Sequence, residues 1–191
     1  MERPKILYNS PVILTFTLIS LLVLIIGSLT NGASTMLLFS VYRSPLSDPL
    51  FYIRLFGHAV GHANLEHYVS NFLIILLVDP MIEEKYKSRN LIIMMLFTAF
   101  ITGVIHIIMS PDTVLLGASS IVFMLILLSS FTNVKEGQIP MTLIFVAVVY
   151  IGQEVMSGIL AKDNISHITH ILGGICGGVF GFALMKKRGK T

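Results

Sequence analysis

The sequence predicts an all-helical membrane protein, a bundle of six spanning helices. Three observations predict it. Apolar residues make up 54% of the 191-residue chain and charged residues only 12%, at a mean hydropathy of +0.85. A soluble domain of this size cannot bury that much apolar surface. The apolar residues fall into six runs, each close to the roughly 20 residues that a helix needs to cross a hydrocarbon core about 30 Å thick. Within the runs they are continuous, without the strict alternation of a transmembrane β-barrel strand.

The first run, Val12–Leu29, is longer than the hydrophobic stretch of a secretory signal and reads as a retained helix. A long connection follows, from about Thr30 to Gly57. Its segment TMLLFSVYRSPLSDPLFYIRLF mixes apolar, aromatic and basic residues with two prolines, which suits short helices lying in the membrane interface. The second span is read as Ala59–Val78, with His58, His62, His67 and Asn71 in its outer half. The third, Leu91–Met109, contains the isolated His106. The fourth, Val114–Phe131, opens on Gly117-Ala118-Ser119-Ser120. The fifth, Met141–Ile159, starts behind Pro140, a residue tolerated in the first turn of a helix, and carries Gln153 and Glu154 toward its outer part. The sixth, Ile165–Met185, carries His167, His170, Gly173, Gly177 and Gly181. No internal repeat interrupts this series, so residues 1–191 form one domain.

Charge placement orients the bundle. Arg3, Lys5, Lys85, Lys87, Arg89, Lys135, Lys186, Lys187, Arg188 and Lys190 fall on one side of the predicted spans, and Arg43, Arg54 and Lys162 on the other. Positive charge is retained in the cytoplasm, so both termini are expected there, and an even number of spans agrees. The basic tail reads as a topology anchor, not as a nucleic-acid site. Cys176 is the only cysteine, which excludes an internal disulfide and a metal site of several thiolates.

With this topology the second, fourth and sixth spans run in the same direction. Ser119 and His170 each lie five residues into their spans, roughly 8 Å below the outer end at 1.5 Å per residue, and His67 and Asn71 fall at similar depth. Polar groups inside a membrane are costly and tend to face the bundle interior or a water-filled cavity. Gly173, Gly177 and Gly181 form a face for close helix approach, and His170 shares it. A serine there can simply pack between helices. It can also be a nucleophile, if a neighbouring histidine takes its proton. Asn71 and His67, one turn apart, and the backbone N–H of Ser119 could then meet a developing oxyanion. Phe123, one turn after Ser119, could pack on the imidazole.

Three motifs together resemble the rhomboid family of intramembrane serine proteases, in its basic six-helix bacterial form. They are Gly117-Ala118-Ser119-Ser120 for the family's Gly-x-Ser-Gly, His62-(x4)-His67-(x3)-Asn71, and His170-x-x-Gly173-x-x-x-Gly177, each in the expected helix and order. The resemblance implies a Ser119–His170 catalytic dyad, an oxyanion hole lined by Asn71 and His67, Phe123 stacked on His170, and supporting roles for Gly117 and Gly173. It implies that Glu83 is structural, that His58 and His62 are structural or water-organising, and that no cofactor or metal is needed. Its implied substrates are single-span membrane proteins, entering laterally past the fifth helix and cut near the outer ends of their helices, in the cytoplasmic membrane with the active site toward the outside. Two positions depart from the family: Ser120 replaces the motif glycine, with slightly wider helix packing expected, and Ile53-Arg54 replaces a Trp-Arg pair.

Other classes fit less well. A zinc protease would favour His-Glu-x-x-His on one helix, which is absent. A transporter would be expected to show inverted repeats or paired broken helices. An inactive rhomboid-like protein that binds membrane helices without cutting them is the main alternative.

Overall fold

In a computed structural model, the described residues are 7–132, 134, 138–160 and 165–188. Among them are eight α-helices: α1 (Pro11–Leu29), α2 (Ala33–Leu38), α3 (Pro49–Gly57), α4 (Leu65–Tyr86), α5 (Ser88–Met109), α6 (Ser119–Ser129), α7 (Met141–Leu160) and α8 (Ile165–Arg188). The bundle is built around α6. Its Ile121, Val122, Met124, Leu125, Ile126, Leu127 and Leu128 are all buried, as expected of a helix that is apolar all round. The other long helices keep one face out: Leu18, Leu22 and Ile25 of α1, Ile93 and Phe97 of α5, Phe145 and Val148 of α7, and Val179 of α8 are exposed. Apolar patches of that extent have a natural partner in lipid.

Among the described residues, α1, α5 and residues His167–Met185 of α8 are long and apolar enough to cross a membrane. The bent helix Leu65–Val78 plus Pro80–Tyr86 makes a fourth if its two arms, at 51°, form one span. Pro80 lies at the break, where a proline removes a backbone donor and crowds the preceding turn.

Local chemistry sets the helix starts. Pro11 opens α1, and Glu83 of α4 closes its first turn, accepting from the N–H groups of Val12 at 3.0 and 3.1 Å and of Ile13 at 3.1 Å. The same carboxylate accepts from Ser88 Oγ at 2.7 Å, so one buried acid joins α1, α4 and α5. A carboxylate at a helix N-terminus has both its charge and its lone pairs used. Asp48 caps α3 through Leu50 N–H. It also pairs with Arg54 at 2.9 Å, while Arg54 donates to Leu37 O at 2.8 Å and lies over the Tyr42 ring. The long outer connection is therefore ordered by a buried arginine, and it contains short helices as its composition suggested.

Two spans begin later than hydropathy predicts. The second starts at Leu65, not Ala59. Residues His58–Val60 make a single 3₁₀ turn, and Asn64 caps α4 by accepting from His67 N–H at 2.8 Å. Gly61 lies against Phe39 O, where an added Cβ would come within 1.9 Å, so this stretch is pinned to the outer connection. His58 and His62 consequently precede the helix. At the predicted fourth span the helix, α6, starts at Ser119, not Val114, and its 11 residues are fewer than a crossing needs. Leu115 is instead extended and exchanges two backbone hydrogen bonds with Val41, at 2.8 and 3.0 Å. The helices at the predicted first, third, fifth and sixth spans start within a few residues of the expected positions. Arg3, Lys5, Lys135, Lys162 and Lys190, together with the side chains of Gln153, Glu154 and Lys186–Arg188, lie outside the described residues.

Candidate active site

The site is assembled by parallel packing of α4, α6 and α8. Gly173 rests on Ser120 O, Gly177 on Met124 O and Gly181 on the Phe131 ring. An added Cβ would come within 2.1 Å of the first two oxygens and 2.2 Å of the ring. The small-residue face of α8 thus lets two backbones meet with nothing between them. At the upper end of this seam the side chains of Ser119 and His170 converge, with Oγ and Nε2 2.8 Å apart.

Ser119 is the first residue of α6, so its hydroxyl sits where the N–H groups of the first turn have no partner within the helix. Gly117 just before it has φ +123°, a conformation that favours glycine, and a Cβ there would come within 2.7 Å of the His67 ring. The chain is further held by two histidines. Gly117 N–H donates to His58 O at 2.9 Å, and Ala118 N–H donates to His62 Nε2 at 3.4 Å. His62 Nδ1 lies 3.3 Å from Val60 O, which fits a neutral ring with its proton on Nδ1. His58 Nε2 in turn meets Ala99 O of α5 at 3.1 Å. Both rings are buried and both serve the backbone, the structural one of the two uses expected of them.

Phe123 stacks flat on the His170 imidazole, with centroids 4.6 Å apart and planes 10° from parallel. Tyr150 from α7 packs edge-to-face with Phe123, their centroids 4.9 Å apart at 87°. A cavity of about 340 Å³ opens beside the pair, and His67, Asn71, Ser119, Phe123, Tyr150 and His170 all line it. Asn71 uses one of its two amide N–H groups on His67 O, at 2.9 Å. Every sequence-predicted site residue therefore meets in one place: Ser119, His170, Asn71, His67 and Phe123 around the cavity, with Gly117 and Gly173 forming its close backbone approaches.

The Ser120 hydroxyl lies 3.4 Å from Thr102 Oγ1 of α5. Its backbone, not its side chain, meets Gly173, and the two helices stay in close approach. Tyr150 is a wall of the site that the sequence reading did not single out. A lone aromatic in an apolar run carried no signal that could have found it. His167 lies edge-on to His170 at 6.5 Å, and His106 Nε2 contacts Thr113 O at 3.2 Å in the turn after α5. Among the described residues no group of three His, Cys, Asp or Glu side chains is placed to hold a metal.

Comparison with known families gives one match: the model described as Rhomboid domain covers residues 50–187, well over half of the chain. That stretch includes α3 through most of α8, and with them every residue of the cavity. No curated protein matches the sequence.

Proposed function

The chain belongs to the rhomboid family, and from that premise we propose that it is an intramembrane serine endopeptidase working through a Ser119–His170 dyad. The observation that carries the reading is the 2.8 Å separation of Ser119 Oγ and His170 Nε2 at the wall of a cavity that Asn71 and His67 also line. In the proposed reaction His170 accepts the serine proton as Oγ attacks a peptide carbonyl, and then delivers it to the leaving amine. The tetrahedral oxyanion is met by the second N–H of Asn71, by His67 and by the backbone N–H of Ser119, donors fixed before the charge appears. Water then hydrolyses the acyl-enzyme by the same route. Phe123 keeps the imidazole plane fixed while its protonation changes. The reaction uses no metal or cofactor.

The protein is an integral membrane protein of apolar helices. In the finer reading, α1, α4, α5, α6, α7 and α8 are six spans with both termini in the cytoplasm, the protein lies in the cell membrane, and the cavity opens toward the outside. The concentration of Lys85, Lys87 and Arg89 at the α4–α5 corner supports this orientation. The substrates are single-span membrane proteins cut near the outer ends of their helices, entering past α7. A helix presents no free carbonyl to a nucleophile, so the substrate must unwind locally, and small or helix-breaking residues near the cut favour it.

The test is labelling of the purified protein by a fluorophosphonate, with Ser119→Ala and His170→Ala as controls. Labelling lost in both variants supports the dyad. Folded wild-type protein that does not label would point to the alternative, a rhomboid-like protein that binds membrane helices without cutting them.

A further inference from the structure

The geometry points to a binding site for an anionic phospholipid between α1 and α5, remote from the cavity that holds Ser119. Two cavities, one apolar and one polar, adjoin at Pro11 and Ser88, which line both. The first, about 420 Å³, is an apolar groove walled by Phe16, Ile92, Met95, Leu96 and Ala99, with Ile121 at its depth. The second, about 640 Å³, lies at the α4–α5 corner and is lined by Glu83, Glu84, Lys87 and Arg89 together with Asn9 and Ser10.

The shape selects the occupant. From Ser88 to Ala99 the groove follows α5 for about 16 Å, about half of a hydrocarbon core and thus one leaflet deep. Spread over that length, its volume leaves room for a chain about one methylene wide. A helix, about 10 Å across, could lay only one face into a groove of that width. An acyl chain entering from the leaflet at the α4–α5 corner fits within it along its length.

Charge selects the headgroup. Glu83 is turned to the α1 N-terminus and Ser88, where the partial positive charge of the helix end offsets part of its own. At the mouth Lys87 and Arg89 then face the single acid Glu84 and are available to a phosphodiester. Basic pockets beside spanning helices are the usual seat of anionic headgroups. Lys87 has φ 69° and ψ 147°, a conformation that favours glycine, and residues held in such conformations cluster at binding and functional positions. At its inner end the groove touches Ala99, whose carbonyl meets His58, and Ile121, two residues beyond Ser119. A bound chain would therefore back the helix that carries the serine.

The chain has no tryptophan, which makes a direct test available. Leu96→Trp places the only tryptophan in the groove, where it can be excited selectively over the tyrosines, Ile92→Trp is a second groove probe, and Leu22→Trp reports the open face of α1. Each is reconstituted in phosphatidylcholine vesicles holding a minor fraction of phosphatidylglycerol, with bromine on the chains of one lipid or the other. The groove probes should be quenched as if the anionic lipid were enriched there, roughly fivefold for each cation that meets it, while Leu22→Trp should report the bulk ratio. The enrichment should vanish in Lys87→Gly/Arg89→Gln. Quenching of the groove probes in proportion to bulk composition would overturn the site, as would enrichment that survives the charge variant. The readout does not involve peptide cleavage, so it stands or falls separately from the protease reading.

Discussion

Gly173→Ala gives the sharpest trial of the packing behind the dyad. The new methyl carbon would lie 2.1 Å from Ser120 O, 2.8 Å from its carbonyl carbon and 3.0 Å from its Cα. All three atoms are backbone, so no side chain can rotate away. Reaching ordinary contact requires α6 and α8 to separate by about 1 Å at this level. Ser119 and His170 sit immediately above it on the same two helices, 2.8 Å apart, and an added ångström takes them outside hydrogen-bonding range. A misplacement of that size lowers turnover by about 100-fold. Gly174→Ala is the matched control. Its Cβ would lie 3.6 Å from Leu127 Cδ2, an ordinary contact, and replacing a helical glycine by alanine gains about 0.5–1 kcal/mol. The assay is the rate of fluorophosphonate labelling, with thermal unfolding to show that each variant is folded. Gly173→Ala should label about 100-fold more slowly while Gly174→Ala labels normally and melts no lower. A folded Gly173→Ala protein labelling at close to the wild-type rate would refute the reasoning.

Three further outcomes follow from single contacts. Phe123→Ala removes the ring stacked on His170 and should slow labelling by about 10-fold or more, while Phe123→Tyr, which preserves the stack, should keep most of it. Glu83→Gln replaces a carboxylate that accepts from two α1 N–H groups and the Ser88 hydroxyl by an amide with one accepting oxygen, and should lower stability by about 1–3 kcal/mol in denaturant unfolding. Lys87→Gly relieves a backbone conformation that favours glycine and should raise stability by about 1 kcal/mol, read as a higher melting temperature.

The site was legible because its parts are spaced within helices. His67 and Asn71 are four apart, as are Ser119 and Phe123, and His170 is three before Gly173. Each pair therefore shares a face whatever the rest of the fold does. The glycines of α8 likewise announced a close backbone approach. Two of the helix starts were not legible, because hydropathy counts apolar residues without regard to backbone conformation. Val114, Leu115 and Leu116 read as the top of a span, yet Leu115 is held extended by Val41, a partner far away in sequence. The stretch from His58 to Asn64 is apolar enough to extend a helix, but Gly61 docks on Phe39 O instead. Tyr150 escaped notice for a similar reason. A single aromatic in an apolar run has no periodic signature, and only the packing of α7 on Phe123 reveals its place.

The late start of α6 bears directly on chemistry. With 11 residues, the helix is about 16 Å long, and its first turn begins among the other helices of the bundle. The first intrahelical bond runs from Val122 N–H to Ala118 O, so the N–H groups of Ser119, Ser120 and Ile121 open the helix without a backbone acceptor in it. The two N–H groups before them are answered, that of Gly117 by His58 O and that of Ala118 by His62 Nε2. The other end is held as well, since Lys85 of α4 donates to the carbonyls of Phe131 and Thr132 just beyond α6. A helix N-terminus carries partial positive charge, and here it is sunk beside a cavity, next to the hydroxyl that would attack a carbonyl. A span starting at Val114 would have put Ser119 in a middle turn, with its N–H bonded to the preceding turn. The extended entry, Gly117 and the two structural histidines thus have one joint effect: they free the serine N–H for the developing oxyanion of the proposed reaction.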